Sequence, residues 1–118
     1  MKLIVLKKNL KDGLVAIERA ISENNNLQVL KCVLIKTVGN QIALSATNLE
    51  LAITAMVAGK IEENGGVVVP FSALSNIITN TDNERIDIDV KNNTLTINTD
   101  NYDAKIQGLP ENEFPIIP

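Results

Sequence analysis

The chain has 118 residues, enough for one domain with a real core but not for two. Apolar residues make up 45% and charged residues 21%, the balance of an ordinary soluble globular protein. No run approaches the roughly 18 apolar residues of a membrane span. Histidine is absent, which removes Ser-His and Cys-His pairs, histidine general bases and histidine metal ligands.

The net charge of −3 conceals an asymmetry. Residues 1–60 hold eight Lys/Arg against four Asp/Glu, whereas residues 61–118 hold three against ten. A polyanion would be met by the first half, although a normally solvated surface is the plainer reading. The single cysteine, Cys32, lies in an apolar stretch, so no intrachain disulfide forms. A buried thiol in a reducing cytoplasm is expected. The opening "MKLIVLKKNL" lacks the small-residue cleavage site of a signal peptide.

Residues 2–7 are short, β-branched and bounded by charge, and read as a strand. Leu10, Leu14, Ile17 and Ile21 then recur at the helical period. Asn9 stands as the N-cap, Asp12 in the first turn, and Asn24-Asn25-Asn26 as the stop. Gly13 weakens this helix by roughly 1 kcal/mol relative to Ala. Extended segments follow at 28–38, 41–47 and 50–58. "TNLE" at 47–50 has the capping-box spacing, but the run after it alternates with period two, so a strand is expected.

"KIEENGG" at 60–66 reads as a polar loop. "VVVP" at 67–70 is a strand stopped by a proline that suits a helix start. Phe71, Leu74, Ile77 and Ile78 form a second helical stripe, and alternating segments at 85–90, 94–99 and 102–107 complete the order. A β-α-β-β-β unit therefore occurs twice, offset by roughly 62 residues. This predicts an α+β domain with two helices packed on one face of largely antiparallel sheets.

Positive signs of chemistry are few. Gly65-Gly66 precedes a strand, not a helix, so it is no phosphate loop. Asp87 and Asp89 share one strand face, which suits either a hard-cation site or, more simply, a solvent-facing acidic stripe. Phe71, Tyr102 and Phe114 are too few aromatics for a single-strand stacking platform.

Four stretches together carry a family resemblance: "MKLIVLKKNL", "IALSATNLELAI" at 42–53, "VVVPFSALSNII" at 67–78, and "LPENEFP" at 109–115. In this order they resemble the first domain of the bacterial DNA polymerase III beta subunit, the sliding clamp. The resemblance covers essentially residues 1–118, with 109–118 as the exit linker toward two further domains. It implies a DNA-clamp fold and a non-catalytic processivity role without a cofactor, in a ring closed head-to-tail with a second clamp subunit. Duplex DNA would be held loosely and without sequence preference inside that ring. The polymerase and clamp loader would engage domains beyond this one.

By the same resemblance the DNA-facing positions are Lys11, Arg19, Asn24, Ser72 and Thr79. Asn24 stands where well-known relatives carry an arginine. The ring-interface positions are Ile77, Ala104, Lys105 and Ile106, with residues 102–107 as an edge strand. The alternative is a stand-alone clamp-fold module that binds a protein through that edge and has no DNA role.

Overall fold

The computed structural model describes residues 1–22, 27–101 and 103–115. Strand β1 (Lys2–Leu6) runs without a loop into helix α1 (Lys7–Ile17). Strands β2 (Cys32–Val38), β3 (Gln41–Thr47) and β4 (Ala52–Val57) complete the first unit. After β5 (Gly59–Glu63), the second unit comprises β6 (Gly66–Pro70), α2 (Phe71–Asn80), β7 (Arg85–Lys91), β8 (Thr94–Asn98) and β9 (Asp103–Gln107).

The two units share their sheets. One sheet has the order β5-β1-β7-β8-β9 and the other β4-β3-β2-β6, with every pairing antiparallel. Each unit thus sends its opening strand into the other unit's sheet. Leu3 and Val5 of β1 lie opposite Ile88 and Ile86, and Val33 and Ile35 of β2 lie opposite Val69 and Val67. Neither unit completes its sheet alone. The repeat is also uneven: β6 follows β1 by 64 residues (Lys2 to Gly66), but β7 follows β2 by only 53 (Cys32 to Arg85). A single offset near 62 therefore describes the repeat poorly. The cause is the connection after each helix, long after α1 and only residues 81–84 after α2.

The inner faces of both sheets and the buried stripes of both helices form one core. Leu10, Leu14 and Ile17 of α1 and Phe71, Leu74 and Ile78 of α2 pack there with Leu3, Ile35, Leu44, Val67, Ile86 and Ile97. Gly13 sits where α1 crosses closest to the sheet. A Cβ at this position would lie 2.7 Å from Val57 Cγ2 and 2.9 Å from Leu44 Cδ1. Its helical cost is thus the counterpart of close packing.

Several boundaries differ from the sequence expectation, each for a physical reason. Asn9 lies inside α1, whose N-cap position is Leu6 with no side-chain cap, and no acidic residue stands in its first turn. The Lys7 N–H is instead satisfied by the Glu84 carbonyl at 2.7 Å, a tertiary bond that no local pattern shows. The helix also ends early, tightening into a 3-10 turn at Glu18–Ala20 before Ile21 becomes extended. The expected stop at Asn24-Asn25-Asn26 lies outside the described residues. The segment expected from 28 opens as a 3-10 turn, Gln28–Lys31, and pairs only from Cys32.

At 48–51 the polar residues close a hairpin turn. Thr47 Oγ1 accepts from the Leu49 N–H, and Asn48 Oδ1 accepts from the N–H groups of Glu50 and Leu51. These bonds hold Leu49 at φ 78, and β4 begins after the turn. The "KIEENGG" stretch is not all loop. Gly59–Glu63 adds an edge strand to β1, with Ile61 opposite Leu3. Its other side chains face solvent, so the alternation that marks a strand is missing.

The last described segment leaves the first sheet and crosses to the second. Leu109 and Val68 exchange both backbone hydrogen bonds, at 2.7 and 3.0 Å, which covers the free edge of β6. Phe114 then packs with Cys32 and Val68 in a small outer cluster, while Leu109 keeps a half-exposed side chain.

Candidate nucleic-acid interface

The face of the helices turned away from the core is mostly polar, although Val15 is 61% exposed on it. On α1 it exposes Lys8, Lys11 and Asp12, with Arg19 on the following 3-10 turn. On α2 it exposes Ser72, Asn76, Thr79 and Asn80. Lys11, Arg19, Ser72 and Thr79 are therefore all solvent-facing, whereas Asn24 lies outside the described residues. About 12 Å of helix separates Lys11 from Arg19 along the axis.

The two helices touch, and one side chain fixes how. Lys7 Nζ donates to the Thr81 carbonyl at 2.6 Å and to the Thr79 carbonyl at 3.5 Å. The C-terminal end of α2 carries the negative end of the helix dipole and has no basic residue of its own. Lys7 supplies that charge from the neighbouring helix. Beside it, Leu6, Lys7, Lys8, Lys11 and Glu84 line a depression of about 400 Å³.

Lys8 is a residue the sequence reading missed. It lies three residues before Lys11, hence on the same helix face. With the helix start placed at Asn9, Lys8 fell outside the helix and the pairing was invisible.

The proposed interface positions divide by burial. Strand β9 is the end strand of its sheet. Ala104 is half-buried and Lys105 exposed, but Ile106 is buried at 6% exposure within the main core. Ile77 is half-buried and packs against the same core. Tyr102 lies outside the described residues.

Asp87 and Asp89 face outward, alternating with the buried Ile86 and Ile88. Arg85 occupies Asp87, with Nε 2.9 Å from Oδ1 and Nη2 3.4 Å from Oδ2, and this pairing raises the guanidinium pKa further. Among the described residues no group of three or more Asp, Glu, Cys or His side chains gathers as a metal site would require. Cys32 is buried, with Sγ 3.5 Å from the Gln28 carbonyl, and desolvation pushes its thiol pKa up. No helix among the described residues is long and apolar enough to cross a membrane.

Two interleaved β-α-β-β-β units with paired helices define a DNA-clamp domain. A solved structure described as a putative DNA polymerase III beta subunit from Eubacterium rectale superposes with a TM-score of 0.95 at 28% identity. That match covers 100% of this chain and 33% of the other. The family described as DNA polymerase III beta subunit, N-terminal domain, matches residues 1–118, and the chain belongs to it. The beta sliding clamp of Synechococcus elongatus is 29% identical over 124 residues, covering 100% of this chain and 32% of the relative. The beta sliding clamp of Buchnera aphidicola is 30% identical over 118 residues, covering 98% and 32%. The chain thus spans about a third of the length of the relatives it matches.

Proposed function

We propose that this chain serves as the first domain of a ring that encircles duplex DNA and tethers a replicative polymerase. The ring closes head-to-tail with a second subunit and does no chemistry itself. The match of the N-terminal domain family over residues 1–118 carries this reading.

The charge placement supports it. Lys7 and Lys8 stand in the first turn of α1, at the positive end of the helix dipole, and Lys11 follows one turn further. Cations in that first turn cost about 0.3–1 kcal/mol each. Lys7 is offset by the carbonyls at the end of α2. Lys8 and Lys11 have no ion-pair partner among the described residues, so an external phosphate is the natural counterion. With Arg19, Ser72 and Thr79 they would touch the backbone without reading bases. Asn24 would contribute an amide in place of a charge. At the ring contact, the β9 edge with Ala104 and Lys105, together with Ile77 of α2, would meet the partner subunit, and Ile106 would back that edge from within the core.

The test is topological. The longer protein carrying this domain is loaded on nicked circular DNA, and the DNA is then linearised. A ring stays on the circle in high salt and is lost from the linear ends. Equal retention on both forms would overturn the proposal.

A further inference from the structure

The link between α2 and β7, residues 81–84, is short and tightly held, yet it contains two polar atoms without a protein partner. Thr81 is fully buried, and its Oγ1 makes no hydrogen bond with the protein. Two residues on, Asn83 Oδ1 is buried in the same condition. Two backbone carbonyls of the same link are bonded. The Thr81 carbonyl takes Lys7 Nζ at 2.6 Å, and the Glu84 carbonyl takes the Lys7 N–H at 2.7 Å. Buried polar side chains in native proteins are nearly always bonded to protein or to an ordered water.

We propose that this link encloses an internal water site joining Thr81 Oγ1 and Asn83 Oδ1. The chemistry favours water over an ion. An anion has no proton to give the Asn83 amide oxygen, which only accepts, and the neighbouring Lys7 ammonium repels a cation. A neutral molecule that both donates and accepts fits all three groups. Water donates to Asn83 Oδ1, exchanges one bond with the Thr81 hydroxyl, and accepts from the Lys7 ammonium. That ammonium has three N–H donors, of which the Thr79 and Thr81 carbonyls occupy two. Three bonds is the usual complement of a buried water. The site would extend the contact between α1 and α2 through solvent locked inside the fold. It is independent of the DNA-clamp reading.

Thr81→Val tests the proposal by the sign of its effect. The substitution keeps the branched shape that the extended Thr81 backbone accepts and removes only the hydroxyl. A Thr81 Oγ1 bonded to a locked water makes Thr81→Val lower the melting temperature, by about 4 °C for a domain of this size, while Thr81→Ser stays near wild type. A Thr81 Oγ1 without any partner gives the reverse, since replacing an unsatisfied buried polar atom by a methyl stabilises. A crystal structure that resolves internal waters should show one within hydrogen-bond distance of both oxygens. A melting temperature for Thr81→Val at or above wild type, or no water joining the two oxygens, overturns the proposal.

Discussion

The ammonium of Lys7, at the start of α1, sits 2.6 Å from the carbonyl of Thr81, just past the end of α2. The bond spans 74 residues of sequence and joins the two helices that the repeat places side by side. It also completes the end of α2, where no basic side chain of its own is available. Lys7→Met keeps the apolar stem and removes the charge. It should lower stability by about 1–2 kcal/mol, the loss of a charge-assisted hydrogen bond at a half-buried site. Urea unfolding followed by circular dichroism reads this directly, and an unchanged midpoint would show the contact to be energetically idle.

Gly13 gives a prediction whose sign is opposite to local propensity. In an exposed helix Gly→Ala gains about 1 kcal/mol. Here the added Cβ meets Val57 Cγ2 at 2.7 Å and Leu44 Cδ1 at 2.9 Å. Both contacts are buried side chains with little room to move. Gly13→Ala should therefore destabilise by about 1–3 kcal/mol through overpacking, measured in the same denaturation assay. A stabilised variant would mean that α1 can lift from the sheet.

Those two residues also mark what the sequence could disclose. The duplicated unit and nearly every strand were legible, because inward Leu, Ile and Val alternate regularly against polar partners, as in β7 and β8. Gly13 read only as a weak spot, since its justification is a contact with β3 and β4, some 30 to 44 residues later. The true start of α1 was hidden because its first N–H is satisfied by Glu84 rather than by a local cap. Strand β5 was hidden for another reason: only Ile61 turns inward, so a paired edge looks like a polar loop. The solvent-facing positions Lys11, Arg19, Ser72 and Thr79 were legible from helical phase, but Lys8 needed the correct helix start.

Residues 109–115 should prove part of the fold rather than a loose tail. Phe114 is 8% exposed against Cys32 and Val68, and Lys36 Nζ approaches Glu111 Oε2 at 3.6 Å on the surface. The exposed ion pair contributes little, so the aromatic ring carries the attachment. Phe114→Ala should cost about 2–3 kcal/mol and speed protease cleavage near 109–115. Lys36→Ala should leave both nearly unchanged. Equal behaviour of the two variants would contradict this division.

Cys32 predicts an alkaline limit. Burial raises its thiol pKa above the ordinary 9.0, so the folded state holds its proton more tightly than the unfolded state. That contribution is complete below pH 9.0 and is lost as pH rises through the folded pKa. Wild-type stability should therefore fall above this point more steeply than that of Cys32→Ala, which starts lower because it leaves a small cavity. Denaturant midpoints collected from pH 7 to pH 10.5 separate the two curves. Parallel curves would show that the thiol does not titrate differently on folding.

The proposed phosphate contacts predict a salt dependence of DNA binding that can be read on this chain. Lys8 and Lys11 share one depression at the positive end of α1 and lack a protein counterion among the described residues. Each phosphate they neutralise should add about 0.9 to the slope of log affinity against log salt. Lys8→Gln with Lys11→Gln should thus flatten that slope by up to about 2 for labelled duplex DNA at low salt. Binding should weaken equally across sequences, because backbone contacts carry no base information. Asp87→Asn, on the outer face of the first sheet beside Arg85, removes a negative charge that does not line the Lys8 and Lys11 depression. It should leave the slope unaltered. If Asp87→Asn shifts affinity as much as the lysine pair does, the interaction follows net charge and the helix face is not the binding surface.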